Sequence, residues 1–165
     1  MDTRWKPNVT VAAIIEKDGR YLLIEEHTQE GLRLNNPAGH LDPGESPSEG
    51  CAREALEETA HPFKPTALVG IYLSRFQRER PYGQEDITYV RLAYAGALGQ
   101  LIAGRALDTG IVRTVWLTVD ELRASSAQHR SPLVQRCVDD YLRGQRYPLD
   151  LVHTDSSIWD TPELL

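Results

Sequence analysis

The chain has 165 residues, 41% of them apolar and 25% charged, with a formal net charge of -6. That length and balance suit one globular domain with a full core. The acidity argues against tight binding to long nucleic acid, which needs a basic surface, and no apolar run reaches the length of a bilayer span.

The opening stretch MDTRWKPNVT has no apolar core of the kind a secretory signal carries. The only cysteines, Cys51 and Cys137, stand far apart without metal-ligand spacing. Both features lead us to expect reduced thiols in a cytoplasmic protein. VTVAAIIEK (Val9 to Lys17) and RYLLIEEH (Arg20 to His27) are β-rich runs joined at Lys17-Asp18-Gly19, and Asp-Gly is a strong hairpin signal. The middle of each run is apolar on both faces, as in strands covered from both sides.

A long loop, LNNPAGHLDPGES, follows. Ser46 then precedes Pro47, with Glu49 three residues on, which reads as an N-cap, a first-turn proline and a capping box. The helix begun there is expected to run to about Ala60. Strands are expected over Thr66 to Phe76 and Asp86 to Leu98, with QRERPYGQE between them as a mobile loop. A short strand at Val112 to Leu117 leads into a small helix near Val119 to Ala124. Ser131-Pro132 opens a last helix, in which Leu133, Val134, Cys137, Val138, Tyr141 and Leu142 recur at helical spacing. Gly144 is its expected stop. Helices on both sides of the strands give a mixed α/β sandwich. Residues 1–150 are expected to form one domain and 151–165 a tail; RYPLD (Arg146 to Asp150) and Trp159 are expected either to pack on the domain or to meet a neighbouring subunit.

The segment AREALEETA (Ala52 to Ala60) concentrates charge. At about 100° per residue, Glu54, Glu57 and Glu58 share an arc of roughly 100°, opposite Ala52, Ala55, Leu56 and Thr59. Like charges at i,i+4 destabilise a helix by a few tenths of a kcal/mol, and Arg53 alone cannot neutralise three acids. A divalent cation that prefers oxygen ligands would, and Mg²⁺ suits because it also binds phosphates. A solvated acidic face is the ordinary alternative for such a segment.

Reading outward, Gly39, five residues, Glu45, seven residues and Arg53-Glu54-Ala55-Leu56-Glu57-Glu58 resemble the Nudix box, here over residues 39–61. Six fixed residues at fixed spacing would arise by chance in about one chain of this length in 10⁵. Nudix hydrolases act on nucleoside diphosphates linked to another group. The resemblance implies an α/β/α sandwich with a mixed sheet, and Mg²⁺, with Mn²⁺ as a substitute, held by Glu54, Glu57, Glu58 and the Ala38 carbonyl. It gives Glu57, Arg53 and Glu54 catalytic roles, with Glu57 as the candidate base and Arg53 orienting the glutamates. Gly39 and Glu45 would support the box loop. Ala60-His61 departs from the family's glycine and aliphatic pair, implying a changed helix exit towards Pro62; His61 is expected to be an exposed loop histidine.

Outside the box, KPNVTVAAII, NNPAGHLDPGES, RSPLV and GQRYPLDL resemble one phosphatase branch of the family, from Lys6 to Leu149. That branch implies release of orthophosphate from nucleoside tri- and diphosphates and from 4-amino-2-methyl-5-hydroxymethylpyrimidine diphosphate. Small-molecule phosphates are then the expected partners of a monomer or homodimer. Many relatives carry an acid six positions before the tryptophan matching Trp116; this chain has Gly110 there, with Asp108 nearby and Glu85 and Asp86 as substitutes. Arg33, Arg75, Arg78, Arg80 and Arg91 are candidate phosphate donors, and Tyr72, Phe76, Tyr82 and Tyr89 candidate stacking residues. Two other readings share the box: hydrolysis of an internal diphosphate, as in ADP-ribose or dinucleoside polyphosphates, and a non-catalytic ligand sensor, which usually lacks box glutamates that are all present here.

Overall fold

The computed structural model describes residues 4–160. Its first half contains β1 (Asn8–Ile14), β2 (Glu16–Lys17), β3 (Arg20–Thr28), β4 (Gly31–Asn35), β5 (Ala38–His40) and α1 (Pro47–Thr59). The second half adds β6 (Phe63–Arg80), β7 (Gly83–Leu98), β8 (Ile111–Thr118), α2 (Val119–Ala124) and α3 (Leu133–Leu142). One sheet has the order β5-β1-β7-β6, with β1 parallel to β7 and the other pairs antiparallel. In the other, β3 pairs with β8 along one side and with β2 and β4 along the other. No helix among the described residues is long and apolar enough to cross a membrane.

The double-sided apolar runs explain the layering. Side chains alternate along a strand, so β1 sends Ala12 and Ile14 to a cluster with Val134, Cys137 and Val138 of α3. Its Val11 and Ala13, with Ile15 just beyond, join Cys51 and Ala55 of α1 in a second cluster. The mixed β5-β1-β7-β6 sheet lies between α1 and α3, an α/β/α sandwich.

Several boundaries differ from the sequence reading. The run Val9 to Lys17 is two strands: β1 ends at Ile14, and Glu16 and Lys17 pair with β3 in the hairpin, with the Ile15 carbonyl accepting the Leu22 N–H at 2.9 Å. Asp18 (φ 52°) and Gly19 (φ 76°) make its turn, with both residues at positive φ. The stretch expected as a loop from Leu34 holds the end of β4 and all of β5, elements too short for a periodic signal. Nor is QRERPYGQE a loop. The β6–β7 ladder continues from Gln77↔Asp86 to Arg80↔Gly83, and cross-strand ion pairs of Arg78 and Arg80 with Glu85 line it.

Residues after α3 fold back on the domain. Leu68 and Tyr147 exchange backbone hydrogen bonds at 2.9 and 2.8 Å, and the Arg146 guanidinium lies 3.6 Å from the Tyr141 ring centre. The Trp159 indole N–H donates to Glu49 on the first turn of α1 at 3.0 Å. Residues 161–165 of the expected tail lie outside the described residues.

The helix exit keeps its left-handed residue without a glycine. Ala60 has φ 59° and ψ 18°, and its N–H bonds the Leu56 carbonyl at 3.0 Å. That conformation costs alanine about 1–2 kcal/mol. Glycine would relieve it, but would lose about 0.5–1 kcal/mol through its freer unfolded chain and about 0.8 kcal/mol of methyl burial, since Ala60 is 3% exposed. The terms nearly cancel, so alanine suffices. We therefore expect Ala60→Gly to unfold in urea within about 1 kcal/mol of the parent and Ala60→Val to lose at least about 2 kcal/mol, because a β-branched residue is a true outlier at positive φ. Equal stabilities of the two variants would contradict this account.

Candidate active site

Helix α1 begins where its caps dictate. Ser46 accepts the Glu49 N–H and Glu49 returns a bond to the Ser46 N–H, with Pro47 in the first turn. This start sets the phase of the next two turns. Of the side the helical wheel sets against the acids, Ala55 and Thr59 are buried and Ala52 and Leu56 only partly so, while Cys51, Glu54 (8% exposed) and Glu58 (6%) are also buried. The acidic arc is therefore not a solvated face; it turns inward against β5, and only Glu57 keeps a third of its side chain in solvent.

Arg53 organises these acids. Its Nε and Nη2 grip both oxygens of Glu45 at 2.8 and 2.7 Å. Its Nη1 donates to Glu54 at 2.8 Å and Glu57 at 3.1 Å. Nη2 also reaches the His40 carbonyl at 3.0 Å and lies 3.4 Å from Asp42. Glu58 is turned the other way, accepting the Ala38 N–H at 2.9 Å. Four carboxylates thus share one guanidinium, and a fifth has only a backbone donor.

The ionisation equilibria reflect this imbalance. Burial is the main cause that pushes the Glu58 carboxyl up to about 9; the Ala38 bond opposes it, while Glu54, Glu26 and Asp108 add to it. Burial likewise raises Glu54 against the pull of Arg53. The bidentate Arg53 bond holds Glu45 below the usual carboxylate range, and the same contacts strengthen the Arg53 charge.

Two glycines make the packing feasible. A Cβ on Gly39 would lie 2.1 Å from Glu54 Oε1, and one on Gly50 would lie 2.6 Å from Glu45 Oε1. Gly39 was legible from the box. Gly50 was not singled out, although a glycine inside a helix costs about 1 kcal/mol relative to alanine and so signals a packing constraint.

The residues fit a hard cation in their chemistry: an all-oxygen donor set, partly buried, with more negative charge than its arginine offsets. As they stand, no group of three Asp, Glu, His or Cys side chains among the described residues is gathered closely enough to hold an ion. Arg53 bridges Glu54 and Glu57, and Glu58 is bonded to Ala38.

Across β5 lies a cavity of about 210 Å³, lined by Ala38, Gly39, His40, Phe76, Tyr89, Arg78 and Arg91 among others. Phe76 and Tyr89 meet edge to face at 5.9 Å, and His40 lies 6.0 Å from Tyr89. Glu26, Asn35, Arg130 and Ser131 also line it; Asn35, Arg130 and Ser131 fall in the NNPAGHLDPGES and RSPLV segments but were not picked out as site residues, and Glu26 lies in neither. Of the other candidates, Arg33 pairs with Glu30, Arg75 with Asp86 and Arg80 with Glu85. Tyr72 donates to Asp140, and Tyr82 sits fully exposed at the β6–β7 turn. His61 bonds the Gly99 carbonyl through Nδ1 at 2.9 Å, away from the acids. Glu85 and Asp86 are held by arginines on the outer hairpin, whereas the Asp108 N–H bonds the Glu57 carbonyl and the Asp108 charge is felt at Glu54 and Glu58.

The Gly39 contact yields a test. Gly39→Ala forces Glu54 out of its position while the clash falls on a side-chain end, so we expect near-UV circular dichroism to be retained and Mg²⁺ affinity to drop at least tenfold, about 1.4 kcal/mol. Unchanged affinity in calorimetry would refute the placement of Glu54.

Comparison with known proteins identifies the family. A family model for the NUDIX domain matches residues 4–137. The chain is 34% identical over 149 residues to the phosphatase NudJ of Escherichia coli (strain K12), covering 90% of this chain and 92% of that protein. It superposes on a NUDIX hydrolase from Nitrosomonas europaea with a TM-score of 0.81 and 49% identity, covering 91% of this chain and 98% of the other. A MutT NUDIX hydrolase from Burkholderia pseudomallei, 21% identical, shares the fold with a TM-score of 0.65 over 82% of this chain and 98% of its own. The chain therefore belongs to the Nudix hydrolase family and is an enzyme that hydrolyses phosphate bonds.

Proposed function

We propose that the protein is a cytoplasmic, Mg²⁺-dependent phosphohydrolase that releases orthophosphate from nucleoside tri- and diphosphates, with 4-amino-2-methyl-5-hydroxymethylpyrimidine diphosphate as a further substrate. The observation that carries this reading is the crowding of Glu45, Glu54, Glu57 and Asp42 on Arg53, with buried Glu58 beside them. The similarity to a protein named phosphatase supports the terminal bond as the one cut. Free, buried Cys51 and Cys137 accord with a reducing compartment.

Each residue has a part in the mechanism. A bound divalent ion lowers the pKa of water and screens charge on phosphate oxygens. Glu54, Glu57 and Glu58, with the Ala38 carbonyl, are its proposed ligands. Glu57 is the most solvent-accessible of the three carboxylates, which supports its assignment as the base that takes the proton of the attacking water. Arg53 keeps Glu54 and Glu57 from separating as charge shifts, and Glu45 anchors Arg53. Phe76 and Tyr89 offer a stacking wall for a heteroaromatic ring.

Glu58→Gln separates chemistry from folding. Burial already keeps this carboxyl neutral at neutral pH, so the amide should fold with stability within about 1 kcal/mol of the parent, while kcat for ADP with Mg²⁺ falls at least about 100-fold. Orthophosphate, identified by mass, should be the first product. Retained turnover, or cleavage of ADP-ribose with no orthophosphate from any nucleoside diphosphate, would sink the reading.

Proton linkage supplies an independent check. The metal-free Glu58 carboxyl stays protonated up to about pH 9 and must ionise to bind a cation. Binding of Mg²⁺ at pH 7 should then release about one proton, and affinity should rise with pH between 7 and 9. Calorimetry in buffers of different ionisation enthalpy measures this; a proton count near zero would exclude Glu58 as a ligand.

A further inference from the structure

The cavity beside β5 holds an unbalanced charge. Three arginines line it. Arg130 lies 3.5 Å from Glu26 and Arg78 lies 3.4 Å from Glu85. Arg91 is 7% exposed, yet no carboxylate among the described residues lies within ion-pair distance of it. Its Nη1 and Nη2 donate to the side-chain oxygens of Asn36 at 3.1 Å and Asn35 at 3.2 Å, both neutral. The Cys137 thiol also neighbours Arg91, and burial raises its pKa and keeps it uncharged.

A buried guanidinium with only neutral acceptors is costly unless a counter-ion arrives. Asparagine is an informative choice here. It fixes the direction of the guanidinium as aspartate would, but leaves its charge uncancelled. Asn35 ends β4 and Asn36 follows it directly, and Arg91 projects from β7, whose register pairs it with Thr10 of β1, another lining residue. The strands thus carry the charge to the cavity rather than into the sealed core. The cavity and the box carboxylates meet at β5: Ala38 and Gly39 line the former, while the Ala38 N–H bonds Glu58 and the Gly39 Cα faces Glu54.

We propose that Arg91, aimed by Asn35 and Asn36, forms an anion subsite that takes a phosphate group of the substrate beside the carboxylate helix. The subsite rests on the phosphohydrolase reading for its choice of ligand. Its oxygens would complete the guanidinium's charge balance, so the site binds a dianion more tightly than a neutral group of the same size. Free orthophosphate has the same chemistry and competes for the same place.

Asn36→Asp tests this without removing the arginine. The new carboxylate is nearly isosteric and would pair with Arg91, so a purely structural role for Arg91 would be preserved or strengthened. Inorganic phosphate is titrated into metal-free protein and followed by ³¹P nuclear magnetic resonance, a readout that needs no turnover. We expect phosphate binding to weaken about tenfold or more in Asn36→Asp and in Arg91→Met, while Arg91→Lys stays within about threefold of the parent. In steady state with ADP and Mg²⁺, Asn36→Asp should raise KM about tenfold with kcat within about threefold, and orthophosphate should inhibit the variant competitively about tenfold more weakly than the parent. Should Arg91→Met fail to fold, Asn36→Asp alone decides. Parental phosphate affinity in folded Asn36→Asp would overturn the subsite. Phosphate binding that is lost as expected in a protein inactive on every nucleotide would instead leave the subsite standing and remove the hydrolase reading.

Discussion

The site depends on one guanidinium. Arg53 sits on α1 and gathers Glu45 from the preceding loop, Glu54 and Glu57 from its own helix, and the His40 carbonyl from the end of β5. Surface ion pairs contribute little to stability, but this group is partly buried and makes a bidentate bond, the geometry that gives arginine its strongest contacts. Loop, helix and strand are therefore tied at one point. Removing it would leave several acids facing each other with no local cation.

The same constraint explains features that look unrelated along the chain. Gly39 and Gly50 are spaces that let Glu54 and Glu45 lie where Arg53 can reach them. The capping box starts α1 in the register that turns Glu54 and Glu58 inward, and the Trp159 indole reinforces it by bonding the same Glu49 oxygen that closes the box. At the other end, Ala60 closes the helix in a left-handed conformation whose strain its buried methyl offsets. Glu58 is the exception to Arg53's control. It is stabilised as a neutral acid by burial, which stores a site for positive charge beside the cavity. On the far side of β5 the imbalance is reversed, since among the described residues no carboxylate pairs directly with buried Arg91, whose link to the acid Glu26 runs through Asn35.

The box was readable because its residues are few, charged and close in sequence, and because capping chemistry is local. Ser46, Pro47 and Glu49 announced the helix start, and the spacing from Gly39 to Glu58 announced the acids. The direction of the acidic arc was not readable: a helical wheel orders residues around an axis but does not say which side meets a strand fifteen to twenty positions earlier. The cavity was hidden for a similar reason. Glu26, Asn35 and Arg130 come from separate elements, and each alone is an ordinary polar residue until β3, β4 and the segment before α3 bring them to Arg91 of β7, which the sequence offered only as one of five candidate arginines. Short β4 and β5 lacked enough residues to show a period, and the charged end of the β6–β7 hairpin imitated a loop because its polarity comes from cross-strand pairs.

The central claim is that the acid crowding on α1 is a charge deficit matched to a divalent cation. Anomalous diffraction from crystals soaked in Mn²⁺ tests it most directly, because it locates the ion without relying on turnover. The account predicts a peak bonded to the Glu54 and Glu58 carboxylates, with Glu58 released from the Ala38 N–H and Arg53 still gripping Glu45. A fully occupied Mn²⁺ peak elsewhere, with Glu58 still bonded to Ala38, would contradict it.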